Sequence, residues 1–209
     1  MKKGILYLIV GIFCISISIW IHFWTESHVT TYVRCQYVER LESKYYAARE
    51  ALAIEVENYI KTTAPTSLLN ALPLIDLCSK YNIDLCFVLA QGHIESHFGT
   101  KGTARKTNSV FNVGAYDGHS AERQKKNGFY YEHPDKSIEP YLKLLTNNYL
   151  IYDKSELDLL IKFVDHNGKR YASNINYESM LQEKYNKLED TGIVEAYNIY
   201  RMYKTQLGY

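Results

Sequence analysis

The sequence predicts a mainly α protein: a helical domain with a small β-hairpin insertion, preceded by an apolar N-terminal helix and a helical spacer. Three observations predict it. Apolar residues recur at three- and four-residue intervals through most of the chain. Five of the 11 Gly residues fall between positions 99 and 135. Gly4–Trp24, "GILYLIVGIFCISISIWIHFW", runs for 21 positions without a charge.

That run is long enough to cross a bilayer as a helix. Lys2 and Lys3 precede it, and Trp20, Phe23 and Trp24 suit an interface. Neither the short apolar core nor the small-residue cleavage site of a signal peptide is evident. The expectation is an uncleaved single-pass membrane anchor over 4–24, after a cytoplasmic 1–3. Residues 25–64 read as a helical spacer, with Val38, Leu41, Tyr45, Ala48, Leu52 and Tyr59 in helical spacing and Glu55 interrupting. "TTAP" at Thr62–Pro65 breaks the pattern, so the main domain is expected over 65–209.

Within it, "TSLLNALPLIDLCSKYN" from Thr66 reads as a helix capped by Thr66 or Ser67. "IDLCFVLAQGHIESHF" reads as a second helix, capped near Asn82 or Asp84. The hairpin is expected from "FNVGAYD" against "NGFYYEH". Helical patterns return in "KSIEPYLKLLTNNYL", "SELDLLIKFVDHN", "YESMLQEKYNKLED" and "IVEAYNIYRMYKTQL".

A net charge of +1 and a pI near 7.7 argue against nucleic acid as a partner. Cys78 and Cys86 flank the helix junction, where they either bridge or stay as buried thiols. Zinc-ligand spacing is absent, and no metal or cofactor is expected. The 20 tyrosines suit sugar or interface surfaces, although compositional bias accounts for such a number equally well.

The chemistry centres on Glu95. On a helical wheel Ile83, Phe87, Ala90, Ile94 and Phe98 form an apolar stripe, and Glu95 falls at its edge beside Gln91 and Val88. Desolvation there raises a carboxyl pKa, which suits a general acid. A solvated or hydrogen-bonded structural Glu is the plainer reading. His93 and His97 share a face in "HIESH". Glu95 lies roughly 160–200° away from both by helical geometry, the wrong side for the base of a zinc protease.

The segment "VLAQGHIESHFGTKGTARKTNSVFNVGA" resembles the glucosaminidase-type peptidoglycan hydrolases of the lysozyme-like superfamily, the family 73 glycoside hydrolases and the related Bax-like proteins. Their pattern falls on Ala90, Gln91, Glu95, Ser96, Gly99, Gly102 to Ala104, Asn108, Phe111, Asn112 and Val113. "GFYYEHPDKSIEPYLKLLTNNYL" resembles the family's aromatic–Tyr–Ser segment. "KRYASNINYESML" resembles its Y-A-T-D-P-x-Y segment, with Ser173 and Asn174 in place of Thr and Asp, and no Pro. The resemblance covers about Ser67 to Glu189.

It implies a lysozyme-like fold with a groove for a glycan strand and cleavage of β-1,4 bonds in peptidoglycan, as an endo-β-N-acetylglucosaminidase. A lytic transglycosylase yielding 1,6-anhydro ends, or a non-catalytic wall-binding scaffold, are the alternatives. Glu95 maps onto the catalytic acid. Candidates for a second carboxylate are Asp117, Glu122 and Glu132, with Asp117 nearest the groove in sequence. Tyr171 or Tyr177 supplies the hydroxyl that the family places near the acid, Tyr171 matching the motif's first Tyr. Gln91, Phe111, Asn112 and Val113 are expected to line the groove, and Tyr116, Tyr131 and Tyr177 to meet the sugars. The anchored enzyme is then expected on the cell-wall side of the membrane.

Overall fold

The computed structural model describes residues 2–113, 121–126 and 128–209, without the side chains of 2–15, Ser27, Ala121 and Gln124. Nine α-helices are described. They are α1 (Lys2–Thr63), α2 (Ala71–Tyr81), α3 (Leu85–Ser96), α4 (Ala104–Thr107), α5 (Ala121–Lys126), α6 (Ile138–Leu144), α7 (Glu156–Ile161), α8 (Tyr177–Lys187) and α9 (Gly192–Leu207). The chain divides into two compact units, Met1–Ala47 with Met202–Tyr209, and Ala48–Arg201.

The expected mainly α character holds, but two parts of the expected fold do not. Among the described residues no helix is long and apolar enough to cross a membrane. The apolar run continues without a break into the rest of α1. There Thr25, Glu26 and His28 are polar, and Arg34, Glu39 and Arg40 follow. The single-pass anchor, and the membrane placement that depended on it, are therefore corrected.

The second correction is the hairpin. The described residues contain no strand, only an isolated bridge between Val164 and Arg170. "AERQKK" is made of good helix formers and is helix α5. Tyr131 N–H donates to the Thr107 carbonyl (2.9 Å), and Asn108 Nδ2 donates to the Tyr131 carbonyl (2.8 Å). These bonds hold the chain after α5 against the end of α4 rather than alongside residues 111–113.

In the unit Met1–Ala47 with Met202–Tyr209, Lys44 Nζ lies 5.8 Å from the centre of the Tyr203 ring, and Tyr45 meets Tyr209 edge-on. In the larger unit, α3 is central. Every residue from Leu85 to Gly92 is buried, so this helix is apolar on all sides rather than along one stripe. It packs against α8 and α2, and α2 against α6. The α1 residues Leu52, Val56 and Ile60, at four-residue spacing, are fully buried in the same unit. Burying each such side chain is worth about 1.5–3 kcal/mol.

The α2–α3 junction is short because both ends are capped. Asn82 takes a left-handed conformation (φ 51°), and Ile83 N–H returns to the Cys78 carbonyl (3.0 Å). Asp84 then caps α3 by accepting from Phe87 N–H at 2.8 Å. Helix α2 starts at Ala71, later than the sequence suggested, because Ser67 is used elsewhere: its hydroxyl donates to the Phe98 carbonyl at 2.7 Å. Cys78 and Cys86 are buried and unpaired, and burial pushes the Cys86 thiol up to about 12.

Candidate active site

The last turn of α3 is built to stop abruptly. His97, Phe98 and Gly99 are all left-handed (φ 48°, 53° and 84°). Two successive non-glycine residues in that region are strained and persist only where packing enforces them. Here Phe98 is 1% exposed and its carbonyl is held by Ser67. Ser96 completes the reversal: its hydroxyl accepts from Gly99 N–H (2.7 Å) and donates to the Val110 carbonyl (2.6 Å). The segment Ser109–Val113 is thereby drawn back along the end of α3. Ser137 supports it from the other side by accepting from Val110 N–H at 3.1 Å.

Asn112, itself left-handed at φ 50°, presents its side-chain amide to Glu95. Asn tolerates this conformation better than most side chains. Its Nδ2 donates to the Glu95 backbone carbonyl (2.7 Å) and to Glu95 Oε2 (3.2 Å). The other carboxylate oxygen, Oε1, accepts from the hydroxyl of Tyr177, the first residue of α8.

Tyr177 is positioned by its neighbours in sequence. Glu178 accepts from Phe163 N–H (3.2 Å) and pairs with Arg170, whose guanidinium also donates to the Asn174 carbonyl (3.2 Å). The start of α8 is thus clamped to the segment before it. Gln91 Nε2 donates to the Tyr177 hydroxyl oxygen at 3.0 Å, and Gln91 Oε1 accepts from Tyr141. Tyr171 stacks on Phe163 (4.4 Å between centroids) and donates its hydroxyl to the Phe111 carbonyl at 3.2 Å. Phe111 in turn stacks on Tyr141 at 4.0 Å.

Glu95 therefore sits in an aromatic, mostly apolar socket. Burial raises its carboxyl pKa above the ordinary value, and the hydrogen bonds from Tyr177 and Asn112 pull it only part of the way back. Burial also pushes the phenols of Tyr141, Tyr171 and Tyr177 well above their usual range, so all three remain donors at neutral pH.

Of the residues singled out in the sequence, Gln91, Glu95, Phe111, Asn112, Tyr171 and Tyr177 come together. The hydroxyl that reaches Glu95 is that of Tyr177, while Tyr171 braces the Phe111 backbone. Gln91 is fully buried, with both ends of its amide occupied. Val113 follows Asn112, half-buried, and Tyr131 is half-buried beside Thr107 and Asn108. Tyr116 and Asp117 lie outside the described residues. Glu122 and Glu132 are exposed. Among the described residues no acidic side chain is hydrogen-bonded to Glu95 or to its partners Asn112, Tyr177 and Gln91. Tyr141 and Ser137 were not singled out. Each sits in an apolar helical pattern, where a hydroxyl gives little sign of its partner.

His93 and His97 face away from this cluster. His93 Nδ1 pairs with the Tyr59 hydroxyl (2.9 Å), and His97 Nε2 with Lys101 Nζ (3.0 Å). Burial, with nearby Lys184, lowers His93 to about 4, so it is neutral at physiological pH.

The family model named Glucosaminidase, described as mannosyl-glycoprotein endo-beta-N-acetylglucosaminidase, matches residues 72–190. The chain belongs to the glucosaminidase family. It is a glycoside hydrolase that acts on peptidoglycan. No curated protein and no solved structure matches it. The matched span of this glucosaminidase runs from α2 through α8, and so contains Glu95 and every partner described around it.

Proposed function

We propose that this glucosaminidase is an endo-β-N-acetylglucosaminidase in which Glu95 is the general acid. A glycosidic oxygen is a poor leaving group until it is protonated, and a half-buried Glu with a raised pKa holds that proton near neutrality. The observation that carries the reading is the seat of Glu95 itself. It is desolvated by aromatic neighbours yet braced through both carboxylate oxygens by Tyr177 and Asn112. Such bracing fixes the direction of proton delivery and stabilises the carboxylate left behind.

The charge that develops on the sugar ring needs a second group. Asp117, four residues beyond Val113 in the chain, is the residue we assign to stabilise it or to activate water. Product analysis with purified sacculi tests the reading. The wild-type chain releases fragments with reducing N-acetylglucosamine ends, and Glu95→Gln slows release by about 10²–10⁴-fold. Anhydro ends overturn hydrolysis, and equal clearance by wild type and Glu95→Gln overturns the role of Glu95.

A further inference from the structure

Gln91 and Tyr141 are buried polar residues that the acid–substrate chemistry does not itself require, yet they form an unbroken chain of hydrogen bonds with Tyr177 and Glu95. Each link has a direction. Tyr141 donates to Gln91 Oε1, Gln91 Nε2 donates to the Tyr177 oxygen, and Tyr177 donates to Glu95 Oε1. We propose that Tyr141 and Gln91 are positioning residues that lock this polarity, committing the Tyr177 proton to Oε1 of Glu95 and leaving Oε2 as the oxygen that carries and delivers the catalytic proton. The role of Oε2 in delivery rests on Glu95 being the acid; the polarity of the chain does not.

The lock lies at the far end. Tyr141 is fully buried, and among the described residues its hydroxyl has Gln91 as its one acceptor. Turning the Gln91 amide over would aim an N–H at the Tyr141 oxygen and leave the phenolic proton without an acceptor in the interior. Burying an unsatisfied donor is more costly than losing an exposed one. With the amide fixed, Nε2 faces Tyr177 in both protonation states of Glu95, and the single Tyr177 proton can go only to Oε1. Both carboxyl oxygens accept a hydrogen bond, but the one from Asn112 to Oε2 is long (3.2 Å) and shared with the Glu95 backbone carbonyl (2.7 Å), whereas Oε1 takes the whole Tyr177 hydroxyl. The oxygen that accepts more strongly is the poorer site for another proton, so the acid's own hydrogen resides on Oε2. In the reaction the Oε2–H bond breaks, the proton bonds to the glycosidic oxygen, the C1–O pair leaves with that oxygen, and the electron-deficient C1 then bonds to the oxygen of water, which gives up a proton. The new carboxylate is then stabilised at Oε1 by Tyr177 and at Oε2 by Asn112.

The ionisable groups facing Glu95 among the described residues are the phenols of Tyr177 from α8, Tyr171 from the preceding segment and Tyr141 from α6. All are neutral donors at the pH of interest, so a change in the polarity of the chain is read directly in Glu95.

The test is Tyr141→Phe in the full chain, which keeps the ring that stacks on Phe111 and removes only the donor. Without that donor nothing holds Gln91 Oε1, so the amide samples both orientations; in the turned one Tyr177 donates to Gln91, and Glu95 loses a bond that stabilised its charge. The carboxyl resonance of carbon-13-labelled Glu95, titrated without substrate, then shows its midpoint moved up relative to wild type. The alkaline limb of kcat on peptidoglycan moves the same way, and plateau kcat falls by up to about tenfold, the worth of one hydrogen bond to a charged group. An unchanged midpoint and limb in a variant with wild-type Tm overturns the proposal.

If Tyr141→Phe does not fold, wild type serves. The Gln91 amide protons show nuclear Overhauser contacts to the Tyr177 ring, and contacts to the Tyr141 ring instead overturn the proposal. The carboxyl titration needs no turnover. A moved midpoint in an enzyme whose Glu95→Gln variant stays active would therefore retain the relay and discard Glu95 as the acid.

Discussion

The Tyr177 hydroxyl donates to Oε1 of Glu95 across 82 residues of chain, joining the first turn of α8 to the last turn of α3. That bond opposes the effect of burial on the acid, so removing it has a defined sign. In Tyr177→Phe the Glu95 carboxyl pKa rises further, and the alkaline limb of kcat against pH moves up. With Glu95 in its proposed role as general acid, the carboxylate formed on proton transfer also loses a charge-assisted hydrogen bond, and kcat at the optimum falls about 10–100-fold. Gln91 Nε2 is left without its acceptor in the interior, at a cost of about 1–3 kcal/mol in stability. A pH–rate profile together with a urea melt reads both effects.

The same burial makes Glu95 a liability to folding. Its pKa in the folded chain is raised, so the folded state binds more protons than the unfolded state, and stability falls as pH rises through the folded pKa. Below the ordinary carboxylate range both states are protonated and the penalty vanishes. Glu95→Gln is therefore expected to raise Tm at neutral pH and to leave it unchanged in acid, while activity is lost. Calorimetry at two pH values checks this, since 1 kcal/mol in a chain of this size is a Tm change of about 2–4 °C. A Tm that falls at neutral pH would show that the Tyr177 and Asn112 bonds outweigh desolvation.

How much of this was legible beforehand varies with the physical range of the signal. Glu95 stood out because a carboxylate at the edge of an apolar helical stripe is locally anomalous. The Asp84 cap and the helix pair around it are local as well, resting on periodicity and one side chain. The expected strands failed because "AERQKK" carries helix propensity between them, and because Tyr131 finds its backbone partner in Thr107. Only tertiary structure reveals such a pairing. The apolar run at Gly4–Trp24 looked bounded when read as composition. In the structure it is one stretch of a 62-residue helix whose following turns are polar. Tyr141 was invisible as a functional residue: at its position in α6 a Tyr, a Phe or a Leu would serve the periodicity equally, and only its partner 50 residues away distinguishes it.

Gly92 lies one turn before the end of α3, where two rings close over it. A Cβ there would stand 3.2 Å from Phe98 Cδ1 and Cε1 and 3.3 Å from Phe111 Cε1. Neither ring has room to withdraw. Phe98 is buried on a left-handed backbone, and Phe111 is stacked on Tyr141. Gly92→Ala is expected to destabilise the chain by about 1–3 kcal/mol through overpacking, despite the better helix propensity of Ala. Displacement of Phe111 carries Asn112 with it, so kcat falls in the fraction that remains folded. Denaturant melts and activity normalised to folded protein separate the two.

His93 supplies the opposite pH dependence to Glu95. Its pKa is lowered to about 4, first by burial and then by Lys184, His97, Lys101 and Lys187, so the unfolded chain takes up its proton before the folded chain does. Stability contributed by neutral His93 is therefore complete above about 6.5 and is lost as pH falls toward about 4. His93→Gln keeps a polar partner for the Tyr59 hydroxyl and has nothing to protonate. It is expected to flatten the acid side of the stability curve while leaving the neutral side close to wild type. Because His93 projects away from Tyr177 and Asn112, the pH profile of kcat should be the same in the variant. Melts from pH 4 to 8 alongside the rate profile check this. An alkaline limb that moves in His93→Gln would mean that the histidine reaches the acid electrostatically, through the turn of helix that separates them.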